Sequence, residues 1–347
     1  MTKISAQMIA HSKHFMTGKE IATMVVTFPR FILAEFNTHR MFSRNSASSR
    51  AIPFEKMLKA VKENPFVPIA WQKDHKGMQG TEYETGSGVD ANISSWLSAR
   101  NKAVDVAEEL SAGDCTKQLC NRLLEPFMWH TVIVTATEWE NFFHLRCPQY
   151  SLFHENMPMS FRSKKDFLAH VHQVKAPEFK NQYDNLTELD WLSINKGAAE
   201  IHMMALAEAM YDCLKESTPK ELKEGQWHTP FMSEQDMENS AHEIAQLLVS
   251  EVQEKKAVVF DDAITQACLK VATARCARVS YTVVGEEGKK PNLKKDIELH
   301  DNLAKAGHWS PFEHCAKVMG QEYWMSGNFT GGWVQYRKMF ANEVVTD

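Results

Sequence analysis

Hydrophobic and polar positions follow two different periods along this chain, and each period predicts an element. Residues 21–34 (IATMVVTFPRFILA) are apolar and β-branched, and Pro29 divides them into a strand and a following helix or second strand. From Ile52 to Val61, the apolar residues Phe54, Met57, Leu58 and Val61 fall at helical spacing. Residues 73–92 are polar and glycine-rich and predict a loop. Helical periodicity resumes with Ile93, Trp96, Leu97, Val104, Ala107 and Leu110, and Gly113 is the expected stop. Residues 115–146 read as two helical stretches joined near Pro126, while the polar stretch from Cys147 to about Asp190 predicts no element. Helices are expected over 194–215, 236–256 and 262–277, the last opened by Asp261-Asp262, residues suited to an N-cap. A turn-rich loop at 284–293 precedes a helix that carries Leu299 and Leu303 and ends at Gly307. There is no tandem repeat and no low-complexity run. The pattern as a whole predicts a helix-rich α+β fold.

Composition narrows the class. With 347 residues the chain exceeds an average domain, so one large domain or two intimate ones are both allowed. Apolar residues make up 44% and charged residues 24%, the balance of an ordinary soluble globular protein. The formal charge of −5 requires no basic face for a nucleic-acid polymer, although a local arginine cluster suffices for one small phosphate. The seven cysteines are odd in number and form no C-x-x-C; the first residues hold no apolar leader core, and nowhere do 18 apolar residues run together. These features predict a reducing, cytoplasmic setting and no membrane partner.

Three segments concentrate candidate chemistry. Residues 38–50 (THRMFSRNSASSR) hold three arginines, four serines and an asparagine, without a carboxylate. Such a donor set suits a phosphate: arginine offers bidentate charge-assisted contacts, and serine hydroxyls and backbone amides complete the shell. A solvated loop is the bland alternative for the same residues. The second segment is Ala274-Arg275-Cys276-Ala277-Arg278-Val279-Ser280-Tyr281, and the third runs from Ala306 through Gly307-His308-Trp309-Ser310-Pro311-Phe312-Glu313-His314 to Cys315. In the third, His308, Glu313 and His314 are ligand types, but H-x4-E-H is no zinc spacing and Pro311 breaks the helix that would align them, so no metal is expected.

Taken together these segments resemble the flavin-dependent thymidylate synthases. Thr38-His39-Arg40, seven residues, then Ser48-Ser49-Arg50 resembles that family's Arg-His-Arg signature; 306–314 resembles its Gly-His-x-(Ser/Thr)-Pro-Phe-Glu-His block, and 274–281 its Ala-Ala-Arg-Val-Ser block. Residues 131–146, ending in Arg146, are similar to a family helix, and Ala198-Ala199-Glu200-Ile201 echoes the Ala-Gln-x-Glu-Ile that follows it. The matches cover about half of the 347 residues. Their order differs: in the family the second and third blocks precede the signature, whereas here they follow it by more than two hundred residues, so a circular permutation is expected.

The resemblance implies one catalytic domain with a central antiparallel or mixed sheet flanked by helices, carrying an insertion at about 147–195. It implies methylation of dUMP to dTMP, with methylenetetrahydrofolate as carbon donor, NADPH as reductant and FAD as hydride carrier, in a homotetramer with sites shared between subunits. By matching positions, His39, Arg40, Asn45, Asn141, Ser280, His308, Ser310 and Glu313 would contact flavin. Ser48, Ser49, Arg50 and Arg122 would hold the nucleotide, and Arg146 and Ser48 are the expected catalytic residues, Arg146 stabilising charge on the pyrimidine. Departures from the signature are Glu35, Thr38 and Ser46 in place of glutamine, arginine and glutamate. A faint second echo at 335–343 suggests that Gln335 and Arg337 restore the missing amide and guanidinium at the substrate, beside Glu35. The departures leave two alternatives open: the same chemistry on dCMP or as a hydroxymethylation, or a non-catalytic nucleotide-binding homologue.

Overall fold

A computed structural model describes residues 2–76, 80, 82–154, 157–173, 182–232, 260–281, 292–319 and 323–344. Strands β1 (Ser5–His14) and β2 (Glu20–Pro29) form an antiparallel hairpin. Pro29 ends β2, and a 3-10 turn (Arg30–Ile32) leads into the short helix α1 (Leu33–Phe36). There follow β3 (Ser43–Ser46), α2 (Phe54–Glu63), α3 (Ser87–Ala112) and α4 (Lys117–Leu124). A 3-10 turn over Glu125–Phe127, built on Pro126, precedes β4 (Trp129–Ala136) and α5 (Glu140–Arg146). Next come β5 (Tyr150–His154), β6 (Met157–Phe161), α6 (Lys164–Gln173), α7 (Glu188–Ile194) and α8 (Ile201–Glu216). The remaining elements are β7 (Lys220–Leu222), β8 (Trp227–His228), α9 (Phe260–Arg278), α10 (Leu293–Lys305), β9 (Ala316–Val318) and β10 (Trp333–Gln335).

The main sheet runs β3-β4-β2-β1-β7, antiparallel except for the β1–β7 pair. The fold is therefore mixed α+β and helix-rich. One reading of the sequence is overturned: residues 115–146 are not two helices, because β4 occupies their centre. Val132, Ile133, Val134 and Ala136 are all fully buried, so both faces of this strand are covered and the alternation that marks a half-exposed strand is lost. The loop expected at 73–92 is shorter, with α3 already under way at Ser87, and the helix expected from 194 starts at Ile201 after a break. The helix expected at 236–256 lies outside the described residues.

The two faces of the sheet differ. Met24, Val26, Val132 and Val134 join one core with Leu206, Ala207 and Met210 of α8 and Phe142 of α5. On the other face Ile133 meets Cys276 of α9, and a polar chain threads the interior. His228 Nδ1 lies 2.9 Å from Ser12 Oγ and its Nε2 2.8 Å from Thr23 Oγ1; Thr23 and Thr135 hydroxyls are 2.7 Å apart, and Thr135 Oγ1 is 2.8 Å from His314 Nδ1. Burial pushes both histidines down to about 3 and keeps them neutral. A histidine depressed in the folded state binds fewer protons than its unfolded counterpart at about 6.5, so its stabilisation is complete above that value and is lost as pH falls toward 3. Denaturant midpoints should therefore drop steadily from pH 6.5 downward, and His228→Gln should flatten that slope; an unchanged slope would refute the assignment.

The segment at 147–195 forms a small unit: the β5–β6 hairpin, α6 and α7 enclose their own core of Tyr150, Leu152, Phe167, Val171 and Trp191.

Candidate functional site

Edge strand β3 carries the densest cluster of donors in the sequence, and its register on β4 sets where they point. Asn45 pairs with Ile133, on the face that meets α9, while Arg44 and Ser46 pair with Val134 and Val132. Asn45 is buried. Its Nδ2 donates to Cys276 O at 2.9 Å, and its Oδ1 accepts from Ser280 Oγ at 3.1 Å and Ser310 Oγ at 3.2 Å. One amide therefore ties together the three segments that stood out in the sequence. The chain leaving β3 is fixed as well: Ser48 N donates to Ser280 O at 3.0 Å, and Asn121 of α4 donates to Ser49 O at 2.8 Å and Ile52 O at 3.2 Å.

These contacts shape a cleft of about 640 Å³. Asn45, Ser48, Ser49, Arg50, Arg122, Ser280, His308 and Ser310, all expected at the site, line it. So do Arg30, Arg44, Ser46 and Gln118, and no aspartate or glutamate does. Arg50, Arg122 and His308 are exposed, as a diffusing ligand requires. Four guanidiniums and several hydroxyls without a lining carboxylate make an anion site, and the volume is that of a small-molecule or cofactor pocket. The donor set fits phosphate groups, including those of a nucleotide cofactor.

The other expected residues lie elsewhere. His39 and Arg146 meet through Arg146 Nε and His39 Nε2 at 3.1 Å. Burial first, and then the charges of Arg146 and Arg44, push the His39 imidazole down to about 4, so it is a neutral acceptor. Glu35 stands close enough to feel Arg146 and Glu200; burial and then Glu200 push its carboxyl upward, with Arg146 opposing. Arg44 Nη1 donates to Phe36 O at 3.2 Å and His39 O at 3.3 Å, linking this cluster to the cleft wall. Arg40 and Asn141 are exposed and line no part of the cleft.

Gln335 and Arg337 are not brought to the cleft as substitutes for the missing signature residues. Gln335 is buried, and its Nε2 reaches Asn328 Oδ1 at 2.9 Å and Ser43 Oγ at 3.2 Å, so its amide is spent inside the fold. Arg337 pairs with Glu313 and, through Nε at 3.1 Å, with Glu343. Glu313 is in consequence an internal ion-pair partner rather than a cleft residue. Burial raises its carboxyl and Arg337 opposes that rise.

Sequence reasoning missed Arg30, Gln118 and Asn121. Arg30 follows Pro29 with no motif around it. Asn121 had a usable signal: it is the polar residue on the buried stripe of α4, between Cys120 and Leu124. Among the described residues no group of three or more His, Cys, Asp or Glu comes together as a metal site, and no helix is long and apolar enough to cross a membrane.

No family model matches the chain, and no curated protein matches it. Among solved structures it is similar to crystal structures of a UMP/dUMP methylase, PolB from Streptomyces cacaoi, bound with 5-Br UMP and with 5-Br dUMP. The TM-scores are 0.40 and 0.41, with 11% and 10% identity, over 62% of this chain and 90% and 91% of those chains. A likeness this distant carries no argument about activity.

Proposed function

We propose that the arginine–serine cleft binds a pyrimidine deoxynucleoside monophosphate, dUMP first, and that the protein methylates its base with methylenetetrahydrofolate and reduced FAD. The observation that carries this reading is the convergence on Asn45. Segments separated by 231 to 265 residues, each of which resembles a block of the flavin-dependent thymidylate synthases, meet at one amide and line one cleft. Flavin, when bound, supplies the hydride chemistry. The chain's own residues bind and orient: Ser48, Ser49, Arg50 and Arg122 present donors to phosphate and sugar, while Ser280, His308 and Ser310 present polar groups at the other wall. Arg146 offers fixed positive charge where negative charge develops on the pyrimidine, with neutral His39 as its partner.

Glu35, His39 and Arg146 are absent from the lining of the cleft. In the proposed assembly, a homo-oligomer with shared sites as the resemblance implies, this cluster faces the cleft of a neighbouring copy. An arginine-alanine variant at 146 mixed with one at 50 would then regain part of the activity lost by each alone.

Purified protein should show a flavin spectrum, and its reduced flavin should be reoxidised anaerobically only when dUMP and methylenetetrahydrofolate are both present, yielding dTMP. Turnover of dCMP instead would move the substrate and keep the chemistry. Absence of flavin uptake on titration would sink the methylation reading and leave a nucleotide-binding protein.

A further inference from the structure

Arg30 lines the cleft without belonging to any of the motifs that define it. Its backbone N–H donates to Met128 O at 2.9 Å, which fixes it beside the start of β4 as β2 ends. Its Nη1 lies 2.9 Å from His130 Nε2, and its Nη2 donates to Glu125 Oε1 at 3.4 Å. The same Glu125 oxygen lies 3.7 Å from Nη1 of Arg122, the other arginine of this end of the cleft. Arg30 is held through its backbone N–H and two side-chain partners and is only 19% exposed, whereas Arg122 is 56% exposed and tethered by Glu125. One carboxylate thus spans two guanidiniums whose mutual repulsion would otherwise drive them apart.

The charge arithmetic of this group favours an anion. Arg30 and Arg122 contribute two positive charges and Glu125 one negative charge, and burial keeps His130 neutral at about 3, so it accepts from Arg30 without adding charge. The surplus positive charge faces a cleft with no lining carboxylate to neutralise it. A guanidinium held by two side-chain partners loses little side-chain entropy when it takes up a phosphate, which is the condition for a strong bidentate contact.

We propose that Arg30 is a phosphate ligand of the cleft, paired with Arg122, and that Glu125 is the positioning residue that sets the two guanidiniums side by side for a dianionic phosphomonoester. The inference rests on the cleft reading only in requiring a phosphorylated ligand; it does not require flavin or base methylation.

The test is titration calorimetry of the full chain with dUMP and with deoxyuridine, at fixed ionic strength, for wild type, Arg30→Ala, Arg30→Lys and Glu125→Gln. A charge-assisted contact implies that Arg30→Ala weakens dUMP binding about 10- to 100-fold while leaving deoxyuridine binding unchanged, which abolishes most of the preference for the phosphorylated ligand. Arg30→Lys restores part of that preference. Glu125→Gln reduces the preference without removing either arginine, because the pair splays. A purely structural Arg30 would lower the melting temperature and leave the dUMP-to-deoxyuridine ratio of the folded protein as in wild type, and that result overturns the proposal. Thermal stabilisation by inorganic phosphate over sodium chloride at matched ionic strength is measured in parallel. If wild type ignores dUMP yet phosphate stabilises it and not Arg30→Ala, the nucleotide reading fails while the arginine pair stands. Equal stabilisation of both by phosphate overturns the pair.

Discussion

Asn45→Ala is expected to cost more function than any other single truncation in the described cleft, lowering activity by about 100-fold even though Asn45 need not touch the substrate. Its amide satisfies the carbonyl of Cys276, a residue with no exposed surface, and receives both Ser280 and Ser310 hydroxyls. Alanine leaves that carbonyl buried without its donor, at about 1–3 kcal/mol, and frees two cleft walls to drift. Asn45→Asp is the sharper variant, because a carboxylate oxygen replaces the donor that faces Cys276 O and turns attraction into repulsion. Affinity for dUMP and the melting temperature are measured together. Wild-type affinity alongside a lowered melting temperature would show that Asn45 only glues the fold, and the role assigned to it at the site would be withdrawn.

Asp296→Ala carries the largest expected loss of stability. Asp296 has no exposed surface and sits in the first turn of α10, where its charge suits the helix N-terminus. Its Oδ1 accepts from Arg278 Nε at 2.8 Å and lies 2.7 Å from Arg278 Nη2, and its Oδ2 is 3.5 Å from Arg275 Nε. Removing it takes the shared buried carboxylate away from two part-buried guanidiniums, a change worth about 3–5 kcal/mol. At about 2–4 °C per kcal/mol, the melting temperature should fall by roughly 10 °C. The same clamp holds the end of α9, which supplies the Cys276 carbonyl to Asn45, so cleft affinity should weaken as well. Asp296→Asn should lose less, since it keeps an acceptor. A melting temperature within a degree of wild type would refute the claim that this ion pair secures α9 to α10.

Much of this arrangement was legible in residues alone, and the failures have physical reasons. The helix at 54–63 declares itself because one face is buried and the other is not, whereas the one at 260–278 is covered on most sides and reads as a helix through its alanine-rich run without glycine or proline. β4 did not, since Val132, Ile133, Val134 and Ala136 are covered from both sides and its polar residues His130 and Thr135 are buried with them, so no alternation marks an exposed face; its run of β-branched residues was the better signal. At the site, the serines and arginines of 43–50 were legible as an anion cluster, and Ser280, His308 and Ser310 joined them through the resemblance. What spacing could not reveal is which side of the molecule each residue faces. Glu35, His39 and Arg146 read as neighbours of Ser48 yet form a cluster of their own, and Gln335 read as a substrate contact yet is sealed in the core. Arg30 stayed hidden because its partners, Glu125 and His130, lie 95 and 100 residues away.

That the cleft is tied together by one amide also fixes when it can exist. Its three hydrogen bonds span 231, 235 and 265 residues, and each closes a loop whose entropy must be met before any contact rewards it. Contacts of such range are expected to form late in folding. During synthesis, β3 leaves the ribosome long before Ser280 and Ser310 are made, so the arginines of 38–50 wait without the wall that positions them. The proposed phosphate affinity is therefore expected late in folding, and its appearance during refolding would mark completion of the whole molecule.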